Sequence, residues 1–291
     1  MTTATSPAPS PPGALPDVGH LASRMDACCY DSIRETAHRL DFSAGVVPDI
    51  ASLNRLAASI QPAVTTASGK ALRFAVPATG PATLGYEARI FATGAVPTRP
   101  GNTHDLFNAL VWLTFPLTKA ALNERHMTVQ RAVSHSANRT PVQDALTLFD
   151  ECGVIVASDR PDLLALIASF QWKQLFWQRR HEIEQHMKFF LFGHGLMEQL
   201  LNPYIGLTGK AVLITVEPAW LQATPDVARR HIDAACRALI ASAGILSHGR
   251  DPVPLPVLGI PGWAAENRDE AYYDNARYFR PGRGRREKRM R

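Results

Sequence analysis

The sequence predicts an α+β fold: a helix-dominated single domain with short β-hairpins and a proline-rich C-terminal coil. Three observations carry that expectation. Apolar residues recur at spacings of three and four over most of the chain, as amphipathic helices require. Short β-favouring runs bounded by Gly, Pro and Asp interrupt them near 70–94 and 145–158. From residue 249 onward, GRDPVPLPVLGIPGW is too rich in proline for regular structure and is expected to wrap over the body as an ordered coil. Of 291 residues, 46% are hydrophobic and 20% charged, enough to build a packed core and to exclude wholesale disorder. No internal repeat or domain linker is visible. The expected organisation is a disordered Pro/Ser/Thr-rich leader at 1–20, one globular domain at 21–281 and a disordered basic tail at 282–291.

The elements follow in order. MDACCYDSIRETAHRL and DIASLNRLAASI read as two helices separated by the breaker SAGVVP. Cys29, Ile33, Ala37 and Leu40 give the first its apolar face. KALRFAVPA and YEARIFATG read as two strands joined by a Gly/Pro-rich turn. After TRPGNTH, two helices are expected at about 103–114 and 117–127. ALTLFDECGVIVAS reads as a hairpin turning at Asp150-Glu151-Cys152-Gly153, with glycine where a positive φ is easiest. Beyond Pro161 some 40 residues are expected to be helical, through EIEQHMKFFLFGHGLMEQLL to Asn202-Pro203. KAVLITVE then reads as a strand and PDVARRHIDAACRALIAS as an amphipathic helix.

Composition narrows the function classes. The longest apolar stretch, FNALVWLTFPLTKAAL, carries Pro116 and Lys119, so no membrane span is expected. The N-terminus lacks the basic and apolar regions of a secretory signal. The four cysteines contain no CxxC pair, which points to a reducing cytoplasm. Residues 277–291 hold eight Lys/Arg against Glu287. That is +7 of a chain total of +5, so the body sums to −2. Such a tail, with Arg283, Arg285, Arg286, Lys288 and Arg289, suits weak contact with nucleic acid or an anionic surface by counterion release, or simple solvation.

Four spots concentrate polar chemistry. In NTHDLFNALVWLTFP, His104, Asn108, Val111 and Phe115 share a helical face. Thr103 and Asp105 are explained as helix-start groups, whereas a buried Asn108 beside Trp112 needs a partner. In FFLFGHGLMEQLLNPY, Phe190, His194, Met197 and Leu201 would share one helical face. Glu198 follows His194 by one turn, a spacing that lets both serve one proton-transfer partner or one metal ion. The flanking Gly193 and Gly195 signal close approach by another group. Asp144, Asp150 and Glu151 could bind a divalent cation but are also ordinary turn residues. FQWKQLFWQRR interleaves Trp172, Phe176 and Trp177 with Lys173, Arg179 and Arg180, which suits either base stacking with phosphate contact or plain core packing. GLTGK lacks the hydroxyl residue and the following helix of a phosphate loop, and no GxSxG or GxGxxG motif occurs in the right context.

HDLFNALVWLTFPLTKAALN, ALTLFDECG, FGHGLMEQLLNPYIGLTGKA and PVLGIPGW…NARYFRP together resemble an uncharacterised bacterial family, domain of unknown function 3025, over about residues 25–281. The resemblance implies a bacterial cytoplasmic protein with one domain and implies no reaction. A ratio of 25 Arg to 6 Lys suits a GC-rich bacterial genome. Two classes stay open. One is an enzyme acting on a small molecule, hydrolytic or metal-assisted, with His104, Asp105, Asn108, His194 and Glu198 as catalytic candidates, no metal ligand set assigned and no cofactor fixed. The other is a non-catalytic nucleic-acid- or protein-binding protein using the aromatic–basic helix and the tail.

Overall fold

The computed structural model describes residues 18–42, 46–78, 84–132, 139–242, 244–249 and 251–282. The first 17 residues of the leader, and Arg283, Arg285, Arg286, Lys288 and Arg289 of the tail, lie outside the described residues. The chain begins with α1 (Val18–Met25), α2 (Asp31–Ala37), α3 (Ile50–Ser59), β1 (Arg73–Ala75), α4 (Tyr86–Thr93) and β2 (Ala95–Pro97). It continues through α5 (Thr103–Thr114), α6 (Pro116–Ala132), α7 (Pro141–Cys152), β3 (Gly153–Ser158), α8 (Pro161–Ala168) and α9 (Arg180–His186). The last elements are β4 (Met187–Leu191), α10 (His194–Gln199), β5 (Thr208–Thr215), α11 (Pro218–Leu221), α12 (Pro225–Ala241) and β6 (Val253–Pro256). The architecture is α+β, helix-dominated, in a single domain.

The main sheet has strand order β4-β3-β5-β6. β3 runs parallel to β5 and antiparallel to β4, and β5 runs antiparallel to β6. Every residue of β3 is buried, as a central strand covered on both faces should be. α5 is apolar nearly all round, and every residue from Asp105 to Thr114 is buried, which makes it the central helix of the core. α10 packs on both α5 and α7, so the N-terminal turn of α5 lies beside the ends of α7 and α10. β6 is an edge strand, which explains how Pro254 and Pro256 are tolerated in a sheet.

Neither expected hairpin forms. Residues 141–152 are helical because Thr140 and Gln143 make a capping box, with Pro141 in the first turn. Val142, Ala145, Leu146 and Phe149 then follow the helical period, and this outweighs the local alternation of ALTLF. Gly153 has a φ of −66°, so no left-handed turn occurs there. The chain passes straight from α7 into β3, and glycine is required because a Cβ would sit 2.4 Å from the Phe149 carbonyl oxygen. Residues 86–93 are likewise helical, ended by Gly94 at φ +69°, and β1 pairs in parallel with β2 instead. In the third departure, MKFFL leaves the expected helix to form β4, whose backbone groups complete the β3 ladder. His194 is therefore the first residue of α10, not a mid-helix residue sharing a face with Phe190. The proline-rich C-terminal segment does wrap the body, but it also supplies β6 and three short 3₁₀ turns.

Candidate functional site

The site is built from α5 outward. Asn102, not Thr103 or Asp105, caps the helix by accepting a hydrogen bond from the Asp105 N–H at 2.9 Å. Asp105 is engaged instead by Arg99, whose Nε and Nη2 donate to its two oxygens at 2.8 Å each. Burial disfavours the ionised Asp105, but Arg99 outweighs it and holds the carboxyl below its ordinary range. His104 and Asn108, one turn apart, turn toward a cavity of about 490 Å³.

Two backbone junctions bring the remaining groups to that cavity. The α7–β3 corner and the β4–α10 corner touch so closely that a Cβ at Gly193 would lie 2.3 Å from the Gly153 nitrogen. A Cβ at Gly195 would lie 2.4 Å from Glu151 Oε2. The two glycines thus admit the 151–153 backbone and the Glu151 carboxylate, answering what they make room for. The corner sets Asp150 and Glu151 against His194, and α10 then carries Glu198 across to α5.

The resulting constellation is dense. The rings of His104 and His194 lie 4.5 Å apart between centroids. One ligating atom from each of His104, Glu151 and His194 falls within 4.8 Å of the others. Glu151 Oε1 is 3.5 Å from His194 Nε2 and 3.8 Å from His104 Nε2. The other ring nitrogens face other carboxylates. His104 Nδ1 is 3.0 Å from Glu198 Oε2, and His194 Nδ1, buried and without a hydrogen-bond partner, lies 3.8 Å from Asp150 Oδ2. Lys119, 3% exposed, donates to Asp150 Oδ1 at 2.5 Å and to Asn108 Oδ1 at 2.9 Å. Asn108 Nδ2 in turn donates to the Tyr86 hydroxyl at 2.7 Å. The buried Asn108 thus has the partners that its position demands.

Charge follows this geometry. The hydrogen bond to Glu198 raises His104 above the usual imidazole value, against burial and with help from Glu151. Contact with His194 holds Glu151 below the carboxylate range. Burial works against ionised Asp150, but Lys119 and His194 outweigh it, so its carboxyl also stays low. The Tyr86 residue is 41% exposed, yet the desolvation of its hydroxyl, with the nearby Asp150 and Glu87 charges, pushes the phenol well up. Two imidazoles and a carboxylate facing one another, each imidazole with a further carboxylate near its other nitrogen, are a donor set that could hold a divalent transition metal.

Comparison with known proteins agrees with the sequence motifs. The family model described as Protein of unknown function (DUF3025) matches residues 72–283. The chain belongs to the DUF3025 family. No curated protein and no solved structure matches it significantly.

The DUF3025 match includes every residue of the constellation. Of the five residues expected from sequence, His104, His194 and Glu198 come together directly. Asn108 joins them through Lys119 and Asp150, and Asp105 reaches the cavity with its carboxylate occupied by Arg99. Sequence reasoning named Asp150 and Glu151 as candidate cation ligands at a turn but not as partners of the histidines, and it missed Lys119 and Tyr86. The capping box at 140–143 was the available signal, because a helix ending at Cys152 puts Asp150 and Glu151 in its last turn. The aromatic–basic segment gives no stacking platform. Trp172 and Phe176 are buried, and Lys173 is paired with Asp274 and Glu270, while Arg179 is paired with Asp162 and Glu182. Among the described residues no helix is long and apolar enough to cross a membrane.

Proposed function

We propose that this protein is a metal-dependent hydrolase acting on a small molecule in the 490 Å³ cavity, with a divalent ion held by His104 Nε2, His194 Nε2 and the Glu151 carboxylate. One observation carries the reading: three donors from α5, α7 and α10 approach one another while both distal imidazole nitrogens are turned to separate carboxylates. Two histidines and one carboxylate match the ligand count of catalytic zinc sites, which keep a further position open. Bound there, the metal would lower the pKa of a coordinated water to near 7 and so supply hydroxide.

The chain's own groups have separable tasks. Glu198 accepts the Nδ1 proton of His104, which selects the tautomer whose Nε2 lone pair is free to ligate. Asp150, steadied by Lys119, lies 3.8 Å from His194 Nδ1, beyond hydrogen-bond distance, and its charge favours the His194 tautomer that carries its proton on that nitrogen. Asn108, fixed by the Lys119 ammonium at its oxygen, gives its N–H to Tyr86. The Tyr86 hydroxyl therefore accepts on one side and retains its own proton to donate toward an oxygen of the substrate. Arg99, held by Asp105, stands at the rim as a cation for substrate positioning. We further infer a bacterial cytoplasmic setting. Four free cysteines support a reducing compartment, and the arginine excess supports a GC-rich bacterial genome.

The test is a calorimetric titration of metal-free protein with zinc and with cobalt(II). One site per chain is expected, lost in His104→Ala, His194→Gln and Glu151→Gln with the cooperative melt retained. Hydrolysis of p-nitrophenyl acetate or bis(p-nitrophenyl) phosphate should vanish on chelation and return with zinc. Metal binding that survives all three substitutions would overturn the assignment.

A further inference from the structure

The four-stranded sheet ends in two unlike edges. β6 carries Pro254 and Pro256, which blunt its row of backbone groups against pairing. β4, the opposite edge, has neither a proline nor a bulge. The direction of its hydrogen bonds follows from one contact: Phe192 N–H donates to the Gly153 carbonyl at 3.0 Å. Bonded pairs alternate in an antiparallel ladder, so with Val154 opposite Leu191 the backbones of Phe190 and Lys188 also face β3. Those of Met187, Phe189 and Leu191 face outward. Two of the outward groups are engaged, since Met187 N–H donates to the Ile183 carbonyl and the Leu191 carbonyl accepts from Ser32 Oγ at 2.8 Å. Among the described residues, the Met187 carbonyl, both Phe189 groups and the Leu191 N–H have no hydrogen-bond partner.

This edge borders a cavity of about 700 Å³ that shares no lining residue with the first. Side chains alternate across a strand, so Met187 and Phe189 leave one face of β4 and Lys188 and Phe190 the other. Lys188 and Phe190 do share a side, where both reach the Trp220 ring. All four residues line the cavity, which therefore runs around the edge of the strand and not over one face. Ile183, Ile260 and Trp263 extend its apolar wall. The charge left uncompensated there is negative. Arg34 is held by Asp31 and the Asp26 carbonyl, Arg229 by Asp226 and the Thr114 carbonyl, and Lys188 by the Leu221 carbonyl and the Trp220 ring. Among the described residues Glu35 has no ion-pair partner, and Glu184 meets only the exposed His181, at 4.0 Å.

We infer that the β4 edge and this cavity bind an extended segment of a partner protein, apolar at alternate positions and basic at the others, as a fifth strand of the sheet. Unpaired backbone groups in a row select an extended chain. Phe189 and its apolar neighbours take alternate side chains of that segment, and Glu35 and Glu184 attract its cations. The five residues of β4 span about 17 Å, the length of an ordinary strand.

Fluorescence anisotropy with the full chain and a labelled acetyl-KVKVKVK peptide tests this. Saturable binding is expected, tighter than for acetyl-EVEVEVE. Only one edge of an added strand can face β4. Of two versions N-methylated on the valines or on the lysines, one should therefore lose at least about tenfold in affinity and the other keep it. Hydrogen exchange at the Phe189 amide should slow when the peptide is added. Glu35→Lys with Glu184→Lys should leave the circular dichroism melt unchanged, because both side chains are exposed, and should reverse the preference toward the glutamate peptide. Any of five outcomes would overturn the inference: no saturable binding up to about 1 mM, N-methylated versions that bind alike, unchanged exchange at Phe189, a double variant that still prefers the lysine peptide, or chains that dimerise with the Phe189 amide already protected before peptide is added.

Discussion

Replacing Gly195 by alanine separates the stability of this protein from its proposed metal chemistry. The added Cβ would sit 2.4 Å from Glu151 Oε2 and 3.2 Å from the Glu151 carbonyl oxygen. Ordinary contact begins roughly 1 Å farther out, so the carboxylate must swing away by about that amount. The carboxylate is the far end of a side chain that is 39% exposed, so it has room to move. Alanine also favours a helix over glycine by up to about 1 kcal/mol, so the net change in stability should lie within about 1 kcal/mol of zero. Metal affinity should fall, because ligand distances tolerate only about 0.2 Å. A loss of 10- to 100-fold, the size seen when supporting groups of a metal site are altered, corresponds to about 1.4–2.8 kcal/mol. Zinc titration by calorimetry, run beside urea unfolding of the metal-free protein, reads both quantities. An alanine variant that binds zinc as tightly as the parent would remove Glu151 from the ligand set, and a variant that simply unfolds would refute the geometric argument.

The remaining predictions concern the groups around that site and the two segments that close the fold. Glu198→Gln should weaken zinc binding by 10- to 100-fold with little change in melting temperature, because it disturbs the His104 tautomer and not a ligand. Lys119→Met leaves Asp150 buried without its cation and should cost about 3–5 kcal/mol in urea unfolding, much of it recovered in the Lys119→Met/Asp150→Asn double variant. Asn267 is fully buried and gives Nδ2–H to the carbonyls of Leu258 and Ile260 at 2.9 and 2.6 Å. Asn267→Ala should cost about 2–4 kcal/mol and speed proteolysis within 257–280. Asp233 accepts from the Leu117 and Thr118 N–H groups at the start of α6. Burial nevertheless raises its carboxyl above the unfolded value, so its contribution is full below about pH 4 and declines as pH rises through the folded pKa. The stability gap between parent and Asp233→Asn should therefore widen from pH 6 toward pH 4 in urea titrations.

How much was legible in the chain depended on the range of the forces involved. Helices governed by their own periodicity and breakers, such as α3 and α12, could be read because the signal is local. Strand β4 could not, since Phe189, Phe190 and Leu191 become a strand only by completing the ladder of β3, some 30 residues earlier. The same limit applied to the site. His104 and Asn108 stood out because polar groups on a buried helix need partners, yet their partners, Glu198 and Lys119, lie 94 and 11 residues away. Gly193 and Gly195 announced a close approach without naming what approached. Glu151 was obscured by one local error, a hairpin read where a capped helix runs into a strand, and that error turned a carboxylate of the site into turn decoration.

The charge of the assembled cluster supplies an independent argument for a cation. Glu151, Glu198 and Asp150 are three carboxylates gathered within reach of two imidazoles, and Lys119 is the one ammonium among them. With both imidazoles neutral, as ligation requires, the group carries −2. Arg99 does not relieve this, because Asp105 already neutralises it. A partly buried cluster cannot hold two net charges without a counter-charge at modest cost, and a divalent ion between His104, His194 and Glu151 cancels that excess. A proton on His104 meets the same demand by half, which is the direction in which its pKa is displaced. Zinc binding to this site should accordingly release protons at pH 6 and release fewer at pH 8, a difference that calorimetry in buffers of different ionisation enthalpy measures directly.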